Sequence, residues 1–130
     1  MFRVLVVEDE PIIRELVKSL LQESDCEVEC VATGGEGLKL SKTQSFDLVL
    51  LDVVLPSTGS VQLDGVAVCR LLRADPRLAK VPIYMLTAKA KRADVDAATR
   101  AGANGYIMKP FRGAELLELI ATLKGAANPR

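Results

Sequence analysis

Apolar residues arrive in short bursts along this chain, and each burst stops at a polar residue. Val4 to Val7 ends at Glu8-Asp9, Leu48 to Leu51 at Asp52, Ile83 to Leu86 at Thr87, and Tyr106 to Met108 at Lys109-Pro110. Runs this short, rich in Val, Ile and Leu, have the length of buried strands. They predict strands at about 3–8, 27–31, 47–52, 81–86 and 104–108.

Between the strands the spacing becomes helical. Ile13, Leu16, Val17 and Leu20 recur at i, i+3, i+4, i+7 behind Pro11, a good first-turn residue. Thr33-Gly34-Gly35-Glu36 has capping-box spacing ahead of a short helix weakened by Gly37. Val68, Leu71 and Leu72 share a face before Asp75-Pro76 closes the third helix. A fourth helix near 91–101 is lined by Val95, Ala97, Ala98 and Ala101, and the last carries Leu116, Leu119, Ile120 and Leu123. Five βα units with right-handed crossovers make a parallel sheet covered on both faces. An alanine face buries less apolar area per turn, so the fourth helix is the element expected to shift most easily.

Composition narrows the function. A chain of 130 residues is one domain, able to bury a core without disulfides. Seventeen basic and seventeen acidic residues cancel, leaving no global field to draw the segment onto nucleic acid or anionic membrane. Aromatics are 4%, with no Trp, so base-stacking surface is scarce. No uncharged apolar stretch approaches the roughly 20 residues of a membrane span, and the start of the chain does not read as a secretory signal. Without a single His, no Ser-His-Asp arrangement can form, and the three Cys, without CxxC spacing, have no His to complete a zinc site. Cys26, Cys30 and Cys69 read as small core residues in a reducing cytoplasm, Cys69 on an apolar helix face.

The polar strand ends carry the chemistry. In an open α/β fold they meet at the carboxyl edge of the sheet, where such folds place ligands. Two unit charges ~4 Å apart repel by about 4 kcal/mol at an effective dielectric near 20. Glu8, Asp9 and Asp52 together therefore call for a divalent cation, and all-oxygen donors favour Mg2+ or Mn2+. Lys109 adds a second positive charge and Thr87 a hydroxyl, leaving Asp52 as the natural nucleophile of a phosphoryl clamp. Singly, each residue has a plainer reading: Asp52 as a turn or cap, Glu8-Asp9 as a helix cap, Thr87 as a strand end, Lys109 as solvated, Tyr106 as sheet-edge packing. Four coincident strand ends favour the site.

With these residues in place, the chain resembles the receiver domain of two-component response regulators over about residues 2–124. The resemblance rests on Glu8-Asp9, Asp52, Thr87-Ala88 and Lys109-Pro110-Phe111. It implies a flavodoxin-like (βα)5 sheet of order 2-1-3-4-5, with residues 1–124 as the receiver and 125–130 as a frayed tail or linker start. It implies that Asp52 accepts a phosphoryl group from a phosphohistidine of a sensor histidine kinase or phosphotransfer protein. Glu8, Asp9, Asp52 and the backbone carbonyl of Val54 would hold Mg2+, Glu8 directly or through water. Lys109 and Thr87 would bind phosphoryl oxygens, Thr87 and Tyr106 would form the switch, and the peptide before Pro110 would be cis. The output surface would be the fourth helix, fifth strand and fifth helix, acting on an effector protein or an attached output domain, with a homodimer as a further option. The protein would be a cytoplasmic switch, not a turnover enzyme.

Two departures from the family pattern stand out. Asp64-Gly65 arrives late, behind Ser57-Thr58-Gly59-Ser60-Val61-Gln62-Leu63, so the loop beside the pocket is about five residues longer; it is inert, contacts a specific partner or partly covers Asp52. The positions two beyond Asp52 and Thr87 are Val54 and Lys89, and Val54 has no side-chain group to orient an attacking water. That predicts a long-lived phosphoform. Two competing readings are a phosphatase using an aspartyl-phosphate intermediate, which lacks its second acid at Val54, and a receiver-like scaffold that is never phosphorylated.

Overall fold

The computed structural model describes residues 1–55, 64–88 and 92–127. The extended Ser57–Leu63 loop and Lys89 lie outside them. Five strands, β1 (Phe2–Val7), β2 (Cys26–Val31), β3 (Leu48–Asp52), β4 (Ile83–Thr87) and β5 (Gly105–Met108), alternate with helices α1 (Pro11–Glu23), α2 (Gly34–Thr43), α3 (Gly65–Ala74), α4 (Arg92–Ala101) and α5 (Gly113–Ala127). All ladders are parallel, in the order β2-β1-β3-β4-β5. This is the expected flavodoxin-like sheet.

Strand alternation sorts the core into two layers. Val4, Val6, Leu48, Leu50, Leu86 and Ile107 face Val17 and Leu21 of α1 and Leu116 and Ile120 of α5. Leu5, Val7, Val49, Leu51, Ile83 and Met85 face the other way, onto Val68, Cys69 and Leu72 of α3 and Ala98 and Ala101 of α4. The central β3 is buried at every position, which is why its sequence is an unbroken apolar run up to Asp52.

Two expected core positions are corrected. Leu16 and Leu71 are 45% and 49% exposed. The buried stripe of α1 runs through Val17 and Leu21, and that of α3 through Gly65, Val68, Cys69 and Leu72. Each exposed leucine sits one position N-terminal to a buried residue, about 100° around the helix. The fourth strand starts at Ile83, not 81, because Pro82 has no N–H to donate; its carbonyl still accepts from Val49 N at 2.9 Å. Gly37, which weakened the second helix on paper, has a packing reason: a Cβ there would lie 2.8 Å from Val7 Cγ2. The Thr33 half of the capping box forms, its hydroxyl accepting from Glu36 N at 3.2 Å. Glu36 Oε1 accepts the Thr33 hydroxyl itself at 3.0 Å. The last helix continues to Ala127, into the segment read as a tail.

At the amino end of β4, Arg73 ties three segments together. Its Nε donates to Gly102 O at 2.9 Å, its Nη1 to Leu78 O at 2.7 Å and Val81 O at 2.6 Å, and its Nη2 to Asn104 Oδ1 at 2.6 Å. The Asn104 amide oxygen also accepts from Ile83 N at 2.8 Å, and Gly102, at φ +109°, packs directly on the Arg73 stem.

Candidate functional site

Register explains why four distant polar residues meet. Val7 pairs with Leu51, so Glu8 and Asp52 are the next residues on adjacent strands. Asp52 pairs with Leu86, and Thr87 with Met108, so Thr87 and Lys109 follow along the same edge. Backbone bonds carry the alignment past the ladder: Glu8 N donates to Val31 O at 3.0 Å, Val53 N to Leu86 O at 3.0 Å, and Lys109 N to Thr87 O at 2.7 Å. The Lys109-Pro110 peptide is cis, as the resemblance implied.

Lys109 reaches into the acids. Its Nζ lies 2.5 Å from Glu8 Oε1, 3.3 Å from Asp52 Oδ2 and 3.8 Å from Glu10 Oε1. Glu8 is fully buried; Asp52 and Thr87 are nearly so, and Asp9 is exposed. Asp52 is held from behind, since its Oδ1 accepts from Val54 N at 3.1 Å. Tyr106 is 48% exposed, its side chain on the surface of β5.

The electrostatics follow from burial. Desolvation, then the hydrogen bond and negative charge of Asp52, push the Glu8 carboxyl up to about 7, while Lys109 pulls it down. Burial alone would lower the Lys109 amine, but Glu8 and Asp52 outweigh it and hold it above its ordinary value. Glu8 Oε1 sits in an ion pair with Lys109 yet has no aligned hydrogen bond, an unusual state for a buried carboxylate oxygen. One oxygen each from Glu8, Asp9 and Asp52 lie within 4.8 Å of one another. Three hard oxygen donors, one of them incompletely satisfied, suit Mg2+ or Mn2+.

Three contributors escaped the sequence reading. Glu10 adds a third carboxylate near Lys109, beside Glu8 and Asp52. Gly65 abuts the Asp52 carbonyl so closely that a Cβ would overlap it; Asp64-Gly65 was visible in sequence only as the end of a long loop. Arg14, one turn into α1, reaches back to the acid pair. A separate cleft of about 340 Å³, lined by Phe2, Phe46, Arg77, Pro82 and Leu123, lies at the opposite edge of the sheet, where β1 and β4 begin.

Known proteins resemble the chain in sequence and in fold. The chain is 39% identical over 115 residues to MtrA, a DNA-binding response regulator of Mycolicibacterium smegmatis, covering 88% of this chain and 47% of that one. It is 35% identical over 121 residues to RpaA, a DNA-binding dual master transcriptional regulator of Synechocystis, covering 93% and 48%. The chain thus spans about half the length of the curated relatives it matches. Among solved structures, the chemotaxis protein CheY4 of Vibrio cholerae superposes with a TM-score of 0.87 at 30% identity, covering 95% of this chain and 98% of that one. The receiver domain of sensor histidine kinase PA1611 from Pseudomonas aeruginosa, with a magnesium ion coordinated in its active site cleft, gives 0.85 at 33% identity, covering 95% and 98%. The family model of the response regulator receiver domain matches residues 4–121. With that match and the edge geometry in agreement, the chain belongs to the receiver domains of two-component response regulators.

Proposed function

We propose that Asp52 is the phosphoacceptor of this switch and that Lys109, Thr87 and Tyr106 convert its phosphorylation into a surface change. The observation that carries this reading is Lys109 Nζ within 3.3 Å of Asp52 Oδ2 while Asp52 Oδ1 is fixed by Val54 N–H. One carboxylate oxygen is oriented and the other faces a cation. An Asp52 oxygen bonds to phosphorus as the phosphorus–nitrogen bond of a phosphohistidine breaks, and the freed imidazole takes up a proton. Glu8, Asp9 and Asp52, with the Val54 carbonyl, would hold Mg2+, which when bound supplies charge neutralisation at phosphoryl oxygens.

The product carries charge and acceptor oxygens that did not exist before. Lys109 and Thr87 can bind these oxygens only in the phosphorylated state, and such differential contact is what shifts a population. Thr87 and Met108 are paired across β4 and β5, so displacement at Thr87 passes to the strand carrying Tyr106. The exposed Tyr106 ring turns inward behind it, altering the α4–β5–α5 face. The alanine-lined α4 is the element that yields.

The donor is a sensor histidine kinase or phosphotransfer protein. The recipient is an effector, an output domain or a second copy of the chain, all in the cytoplasm. MtrA and RpaA are named as DNA-binding regulators and PA1611 as a sensor kinase, so both kinds of output fit this chain's family. The near-neutral charge suits a receiver spanning residues 1–124 that does not itself bind nucleic acid. Among the described residues, no helix is long and apolar enough to cross a membrane. Val54, its side chain largely exposed and without polar atoms, cannot direct a water at the acyl phosphate, which supports a slow loss of label.

Incubation with Mg2+ and a small acyl phosphate tests the acceptor. Intact mass is expected to rise by one phosphoryl group in the wild type and not in Asp52→Asn. Beryllofluoride with Mg2+ is expected to move the Tyr106 ring resonances. Unchanged mass and unchanged resonances establish a scaffold instead, and sustained turnover of small phosphoesters establishes a phosphatase.

A further inference from the structure

We propose that Arg14 is a positioning residue that holds the acid pair in its metal-binding geometry, an inference resting on the metal reading of Glu8, Asp9 and Asp52. Glu8, Asp9 and Glu10 bridge the end of β1 and Pro11, the first residue of α1. Capping does not fix this bridge: Glu10, the N-cap residue, makes no side-chain capping bond, and Pro11 has no N–H. Inside the bridge, Glu8 Oε2 accepts from Glu10 N at 3.2 Å, and Arg14 adds a restraint on the carbonyls. Its Nη1 donates to Glu8 O at 2.8 Å and to Asp9 O at 2.9 Å. Its own N–H bonds Glu10 O at 3.1 Å, so the anchor is itself tied into the helix.

The choice of acceptors matters. Mutual repulsion of Glu8, Asp9, Glu10 and Asp52 pushes this segment away from β3. A cation that bound the carboxylates would offset the repulsion but occupy the oxygens a metal needs. Arg14 instead grips the peptide carbonyls and takes none of the carboxylate oxygens of the acid pair. Asp9 depends on this most, because its side chain is exposed and its position is set by its backbone.

Mg2+ titration calorimetry on the full chain compares wild type, Arg14→Met and Arg14→Lys, with urea unfolding in EDTA to follow the fold. Arg14→Met is expected to raise the Mg2+ half-saturation point about tenfold, the lower end of what loss of an outer support costs a metal site. Phosphorylation by an acyl phosphate should recover to the wild-type rate at saturating Mg2+. Amide exchange at Asp9 and Glu10 in EDTA should accelerate, and Arg14→Lys should restore part of both. Wild-type Mg2+ affinity in Arg14→Met, or unchanged exchange at those amides, overturns the proposal. Should Arg14→Met not fold, Arg14→Gln, too short to reach both carbonyls, takes its place with the same outcomes. A wild type that binds no Mg2+ overturns the metal reading, and this inference with it, before any variant is made.

Discussion

Arg73 and Lys109 are two cations drawn in at opposite ends of β4, and their partners differ in kind. Arg73 meets neutral acceptors: three carbonyls and the Asn104 amide, all within 2.9 Å. Lys109 meets carboxylates at 2.5, 3.3 and 3.8 Å, one positive charge against an excess of negative. Fixed dipoles that satisfy a guanidinium leave nothing to respond to a ligand. A cluster of acids short of positive charge changes energy with every cation or phosphoryl group that enters. One end of β4 is built to stay put and the other to change its charge.

The largest test of this contrast is Asp52→Asn. It should abolish phosphate uptake, and by removing the hydrogen bond and charge that add to desolvation it should lower the Glu8 carboxyl from about 7, read by NMR titration. The Arg73 end should show the opposite profile. Arg73→Met strands several partly buried carbonyls and should cost about 2–4 kcal/mol in urea unfolding, with Mg2+ affinity unchanged.

Metal-free stability should also depend on pH through Glu8. Its folded pKa, about 7, exceeds its ordinary 4.5, so between those values the folded state binds more protons than the unfolded state. Stability therefore falls as pH rises from about 4.5 to about 7 and levels above that. Saturating Mg2+ should flatten the profile; a rise in stability across this window without metal would break the account. The smallest effect expected is that of Asn104→Ala, about 1–2 kcal/mol, for the two bonds its amide oxygen accepts from Arg73 and Ile83.

Legibility in the sequence divides along similar lines. The strands and the converging edge were readable because apolar runs ending in polar residues are a one-dimensional signal, and parallel register turns equal endings into neighbours. Leu16 and Leu71 misled because a leucine beside a buried stripe has the same spacing as one within it, and only packing distinguishes them. Arg14, Arg73 and Gly65 were illegible for another reason. Their roles lie in backbone carbonyls of other segments, and a carbonyl leaves no mark on residue identity.

Gly65 has a practical consequence. Its N–H bonds Val53 O at 2.9 Å, its Cα rests on the Asp52 peptide, and Asp64 Oδ1 caps α3 through Ala67 N at 2.8 Å. At these two residues the chain is fixed against the end of β3. Any side chain added at Gly65 would therefore push on the strand end that carries Asp52.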